Sequence, residues 1–296
     1  MDSLQRLLVH VDGSPRSAMR IRLARAIAAG RGAHVSAMLA ADPPWQVVPM
    51  EAVGDGGSAA LLAEAQAERR RAALDLVEQE RERPGEPRAP LHWLEDDAPG
   101  APVPASHAFA SQALCSDLAV LGQHDPADAR AWGVPTDFAA QVMAASGRAA
   151  LIVPWAGEWT RAPERALVAW KPTREAAAAV TAALPLLRQA REVVALAWSD
   201  GGALAARGGD DPLRLRRLQV WLSAHGIDAR IEPQGEPQGP APSAGLGELL
   251  LSAAADHGSD LLVMGCYGHT RMREWVFGGV TRTVLDSMTL PVLMAR

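Results

Sequence analysis

The sequence predicts an α/β protein made of two tandem, doubly wound domains, each with a mainly parallel five-stranded sheet. Three observations carry that reading. Short apolar runs alternate with helix-length stretches along all 296 residues, the pattern of parallel strands joined by crossover helices. The same order of segments occurs twice. Asp117–Gly122 (DLAVLG) matches Asp260–Gly265 (DLLVMG) almost residue for residue, and the closing runs Ala150–Pro154 and Pro291–Met294 also align. The length suits two domains that each bury a core, placed at 1–156 and 163–296 and joined by the linker Pro154–Pro163.

Each element of the first copy has a local cause. Leu7–Val11 is an apolar run closed by Asp12-Gly13-Ser14-Pro15, a buried strand followed by a helix start. Arg16–Ala29 is rich in Ala, Leu and Arg and stops at Gly30 and Gly32. His34–Ala40 is a strand ended by Pro43-Pro44. In Ser58–Arg81, Leu61, Ala65, Ala72 and Leu76 share a helical face. Leu91–Leu94 is a weaker strand and Ala105–Leu114 a helix. Asp117–Leu121 is a strand, Pro135–Ala145 a helix and Ala150–Val153 the last strand.

The second copy repeats the series. Arg165–Trp170 is a strand followed by Lys171-Pro172-Thr173. Arg174–Arg188 is a helix that Pro185 is expected to end or kink. Glu192–Trp198 is a strand, Pro212–His225 a helix stopped by Gly226, and Ile227–Ile231 a strand. Pro233–Pro242 reads as a loop. Leu246–Asp256, Asp260–Met264, Trp275–Asp286 and Pro291–Met294 follow as helix, strand, helix and strand. Ligands of such sheets bind beyond the C-terminal strand ends, where strand order reverses. The chemistry is therefore expected just after the first and fourth strands of a copy.

Composition excludes several classes. A net charge of -5 argues against general affinity for nucleic acid or acidic membranes. The two cysteines, Cys115 and Cys266, have no metal or disulfide spacing. Reduced thiols, the lack of a signal-peptide pattern and the lack of an apolar run of about 18 residues suggest a cytoplasmic protein without a membrane span. His10, His34, His92 and His107 lack ligand spacing and read as structural. Walker-type phosphate loops and GxSxG elbows are absent.

One motif carries chemistry. After the fourth strand of the second copy come Gly265, Gly268 and Gly278 in the spacing G-x2-G-x9-G. Glycines let a backbone pass close to a ligand, and N–H groups near a helix start can point at phosphate oxygens. Gly279, Val280 and Thr281 continue the motif, and His269 and Arg271 offer further donors. Cys266 lies on the same loop and reads as a small packed residue rather than a nucleophile.

Together with VDGS at Val11–Ser14 and LPVLM at Leu290–Met294, this motif resembles the universal stress protein family in its tandem form. The resemblance implies flavodoxin-like domains packed as an internal pseudo-dimer, with Ala150–Val153 and Pro291–Met294 near the shared interface. It implies ATP as ligand, with Mg2+ accompanying it, and a role in stress survival; it implies no established reaction. A homodimer through the pseudo-dimeric domains is the expected self-association. The candidate nucleotide contacts are Ala169, Trp170, Lys171, Ala197, Gly265, Gly268, His269, Arg271, Gly278, Gly279, Val280 and Thr281.

The chain departs from the family pattern in both copies. The family's Ser or Thr after the third motif glycine is Gly279 here, and its acidic residue after the first strand is Asp12 in the first copy but Lys171, the chain's only lysine, in the second. The first copy has Asp125 and Pro135 where glycines belong. The expected protein is therefore a nucleotide-binding regulator using its second domain. A ligand-free scaffold with relic glycines and a weak ATPase are the competing readings.

Overall fold

The computed structural model describes residues 4–42, 56–85, 89–95, 103–125, 127–128, 133–198, 212–234, 242–266 and 279–296. They form two compact units, Leu4–Arg161 and Ala162–Arg296. The first contains β1 (Arg6–Val11), α1 (Arg16–Ala28), β2 (His34–Leu39), α2 (Gly56–Glu82), β3 (Leu91–Leu94), α3 (Ala105–Ala113), β4 (Leu118–Gly122), α4 (Phe138–Ser146) and β5 (Ala150–Val153). The second contains β6 (Arg165–Trp170), α5 (Arg174–Leu187), β7 (Glu192–Trp198), α6 (Pro212–Ala224), β8 (Ala229–Gln234), α7 (Pro242–Asp256), β9 (Leu261–Gly265), α8 (Gly279–Ser287) and β10 (Val292–Ala295).

Within the first unit the strands lie in the order β3-β2-β1-β4-β5, with every pair parallel. The second repeats it as β8-β7-β6-β9-β10. Both are α/β doubly wound sheets, as the sequence predicts. Order reverses between the first and fourth strands, so each unit has its switch point there. The apolar runs are buried throughout: Leu7–Val11, Leu118–Leu121, Ala150–Val153, Leu261–Met264 and Val292–Ala295. Burial of successive residues is what helices on both faces of a parallel sheet produce.

Three local expectations shift. Helix α5 runs through Pro185 to Leu187. The ring is buried with Leu184, Leu186 and Leu187, and packing of that turn outweighs the missing N–H so near the helix end. Strand β8 extends through Pro233 to Gln234 instead of giving way to a loop. It is an edge strand of its unit, where proline is tolerated. Helix α4 starts at Phe138, because Pro135 and Asp137 form a turn with the Pro135 carbonyl accepting from Phe138 N at 3.0 Å.

Helix α2 differs more instructively. Leu61 is 67% exposed and Ala72 is exposed; the inward face is Arg69, Ala73, Val77 and Glu80. Two charged residues sit on it because partners receive them. The Glu80 carboxylate accepts from Arg22 Nε at 2.9 and 3.0 Å, and its backbone carbonyl accepts from Arg25 Nη1. A pattern that treats every charge as outward misplaces such a helix by one residue.

The duplication extends to one polar clamp. Asp117 Oδ2 accepts from Gln5 N at 2.7 Å and Arg6 N at 2.9 Å, and Asp117 N donates to Arg6 O. Asp260 does the same to Glu164 N and Arg165 N, and its own N–H donates to Arg165 O. Each aspartate fixes where the first strand joins the fourth, and thereby their register. Asp117→Ala and Asp260→Ala are each expected to cost about 1–2 kcal/mol in urea unfolding, with the asparagine variants costing less because one acceptor oxygen remains.

Candidate functional site

The crevice of the second unit is assembled by register. Ala169 pairs with Met264 across β6 and β9, and Trp170 pairs with Ala197 across β6 and β7. Ala169, Trp170, Ala197 and Gly265 thus meet at the C-terminal edge of the sheet. Ala197 is buried, Ala169 and Trp170 are half-buried, and Lys171 is exposed just past β6. Gly279 and Val280 are half-buried in the first turn of α8, while Thr281 is only 4% exposed and packs inward. Gly268, His269, Arg271 and Gly278 lie outside the described residues.

The start of α5 closes in on this edge. A Cβ built on Gly265 would stand 2.5 Å from Ala176 N and 2.6 Å from the Glu175 carbonyl carbon. The close approach that Gly265 permits is therefore made by the chain's own helix. Thr173 caps that helix, its Oγ1 accepting from Ala176 N at 3.3 Å. Glu175 is buried in the first turn and accepts from Arg174 Nε at 2.7 Å. That hydrogen bond holds its carboxyl below the ordinary range although burial opposes it, and a negative charge suits a helix start. Sequence reasoning passed over Glu175; the signal was an acid two residues past a Thr cap.

Cys266 is buried just past β9. Its Sγ donates to the Ala295 carbonyl at 3.3 Å, and burial pushes the thiol up to about 12. At that value the reactive thiolate is scarcely populated.

The crevice of the first unit is lined by charge. Asp12 follows β1 and is buried; its Oδ1 accepts from Ser14 N at 2.9 Å and Ser17 Oγ at 2.8 Å, and its Oδ2 lies 2.8 Å from Arg20 Nη2. Burial alone would raise its carboxyl, but Arg20, His10 and the Ser14 bonds together hold it well below the usual carboxylate range. His10 is a packed core ring. It stacks on Phe138 at 4.2 Å, meets Phe109 edge-on at 5.7 Å and donates from Nε2 to Ala40 O at 2.7 Å. Burial, then Arg20, pushes it down to about 4. Asp125 turns back on its own loop, Oδ1 accepting from Ala127 N at 3.0 Å.

Residues 243–296 match the sequence model of the Universal stress protein family. That segment holds α7 from its second residue, β9, the glycine motif, α8 and β10. The whole chain shares its fold with solved universal stress proteins. A universal stress protein from Archaeoglobus fulgidus superposes with a TM-score of 0.67 at 14% identity, covering 100% of this chain and 98% of that one. A putative universal stress protein from Pseudomonas aeruginosa gives 0.52 at 16% identity, over 99% and 93% of the two chains. A functionally unknown protein from the same species gives 0.53 at 16% identity, over 99% and 92%. No curated protein sequence matches the chain. Among the described residues no helix is long and apolar enough to cross a membrane.

In this universal stress protein fold, Gly265→Ala must displace helix backbone, and overpacking of that kind costs about 1–3 kcal/mol. Gly245→Ala, where an added Cβ meets nothing within 4 Å, is the control and should be neutral or slightly stabilising in the same urea titration.

Acid lability of the first unit follows from His10 and Asp12. The unfolded chain binds a proton at His10 that the folded one refuses, so stability falls as pH drops from about 6.5 towards 4. His10→Phe should flatten that slope in unfolding measured across the range. Asp12 contributes stability above its unfolded value of about 3.9 and loses it as pH falls towards its depressed folded value. Asp12→Ala should therefore cost about 3–5 kcal/mol at pH 7, by leaving Arg20 buried without its carboxylate, and the gap to wild type should close in acid.

Proposed function

We propose that the second unit binds a nucleotide, ATP foremost, and that the protein acts as a cytoplasmic stress regulator that responds to that ligand. The observation that carries this reading is where the glycine motif falls. Its first glycine, Gly265, ends β9 at the switch point beside Ala169, Trp170 and Ala197, and Gly279 begins α8. A helix start presents backbone N–H groups to phosphate. The family match over 243–296 spans the whole motif and supports the same reading.

The residues present fit an adenine nucleotide in outline. Trp170 offers a half-buried aromatic face and Ala197 a small neighbour. Lys171, exposed at the strand end, can donate to phosphate but cannot accept from a base. Mg2+ would accompany ATP as a counter-charge. The stretch from Gly265 to Thr281 offers only Glu274 as a carboxylate, where hydrolysis would want a metal carboxylate and a water-positioning base, so we read the protein as a regulator rather than an ATPase. A homodimer is the self-association we expect.

One observation favours the scaffold reading instead: the absent side chain at Gly265 is accounted for by α5 alone. Calorimetry with ATP, AMP and cyclic nucleotides decides between them. The nucleotide reading expects saturable binding that Gly268→Asp abolishes and Asp125→Ala leaves unchanged; no heat with any nucleotide leaves the scaffold. Phosphate release that tracks the protein and disappears in Gly268→Asp would mark it as an ATPase. Lys171 is the only lysine, so saturating ATP should slow its labelling by an amine reagent, read by mass spectrometry. An equal rate with nucleotide demonstrably bound would place Lys171 outside the site.

A further inference from the structure

The two crevices differ by a missing rung. In the second unit β6 and β9 stay paired through Ala169 and Met264. In the first, β1 and β4 part after Val9 and Val120, although β1 remains paired with β2 as far as Val11 and Leu39. The carbonyl released at the split is that of His10, and it accepts from Arg20 Nε at 2.9 Å. The same guanidinium donates from Nη2 to Ser17 Oγ at 2.9 Å and pairs with Asp12. A Cβ on Gly122 would collide with Arg20 Nη1. Arg20 is only 3% exposed.

A second arginine covers the mouth. Arg69 of α2 is 8% exposed. Its Cγ lies 3.0 Å from where a Cβ on Gly13 would stand, and its Nη1 lies 3.1 Å from the corresponding point on Gly133. Gly133 is tied to the end of β2 by Asp42 N donating to its carbonyl at 2.7 Å. Arg69 therefore spans from the loop after β1 to the loop before α4. An added Cβ at Gly122 or Gly13 would meet an arginine of the same chain first, and at Gly133 it would meet the Asp42 carbonyl with Arg69 next. In α5 the stretch corresponding to Arg20 is Ala176–Ala179, so the second unit has no such wedge.

We infer that the first crevice is held shut by an internal occupant: Arg20 wedged between β1 and β4, and Arg69 laid across the opening. This autoinhibitory contact fills the space between the ends of β1 and β4; an open cavity of about 510 Å³ in this unit lies elsewhere, against Pro15, Met19, Arg22 and Asp125. It stands whether or not the second unit binds nucleotide. The occupied space is shaped for a planar cation that donates in several directions, to the Asp12 carboxylate, the His10 carbonyl and Ser17 Oγ. Ammonium on a flexible stem cannot match that fork.

The test is chemical rescue of the full-length chain, with no nucleotide present. Arg20→Ala should lower the unfolding temperature and speed amide exchange in β1 and β4 roughly tenfold or more, with β6 and β9 unchanged. Low-millimolar guanidinium chloride, against sodium chloride at matched ionic strength, should raise the unfolding temperature of the variant and slow its exchange, and do neither in wild type. Arg20→Lys should not substitute for the added ion. If Arg20→Ala does not fold, Arg69→Met keeps the stem over Gly13 and removes the guanidinium. Exchange at Gly13 and Gly133 should then quicken and be slowed again by guanidinium. Guanidinium acting equally on variant and wild type, or on neither, overturns the proposal.

Discussion

Both crevices are governed by how closely the first helix of a unit can approach the end of its fourth strand. A doubly wound sheet has to open there, since the chain leaves the first strand in one direction and returns to the fourth in the other. In the second unit the gap is taken by helix backbone, which the glycine at 265 admits and the alanines at 176–179 do not obstruct. In the first unit an arginine side chain takes it, and the strands separate one rung earlier. One duplicated frame thus gives two chemically different strand ends.

The difference has an electrostatic cost that the first unit offsets locally. Burying Arg20 would be prohibitive alone. Asp12, Ser17 and the His10 carbonyl surround it with acceptors; burial and then its charge hold the His10 pKa down, and its charge favours the ionised Asp12. The three groups are coupled, so a change to any of them is felt by the others. Glu80 performs a comparable service for Arg22 and, through its backbone, for Arg25. The first unit has invested its interior in arginine networks. The described crevice of the second is mostly small or aliphatic, with Glu175 as its buried charge.

That contrast bears on division of labour. In the first unit Arg20 occupies the strand end, whereas in the second the residues facing Gly265 are the backbone of α5. Tandem duplication permits such divergence, because either copy can lose a site while its sheet continues to support the chain.

The alternation of strands and helices, the duplication and the buried runs were legible in the sequence, because burial on both faces of a parallel sheet writes itself as uninterrupted apolar residues; the strand order was not. The aspartates at 117 and 260 were legible as a repeat, though not as clamps. The G-x2-G-x9-G spacing was legible too, and so was Cys266 as a small packed residue. What only the tertiary structure decided were the long-range partners of polar groups. Nothing in the sequence marked Arg20 and Arg69 as buried, and the buried face of α2 came out one residue away from its apolar stripe, because a charge moves inward only when acceptors from distant segments converge on it. The reason for Gly265 was likewise invisible: spacing records that a side chain is missing, and only the packed helix tells what fills its place.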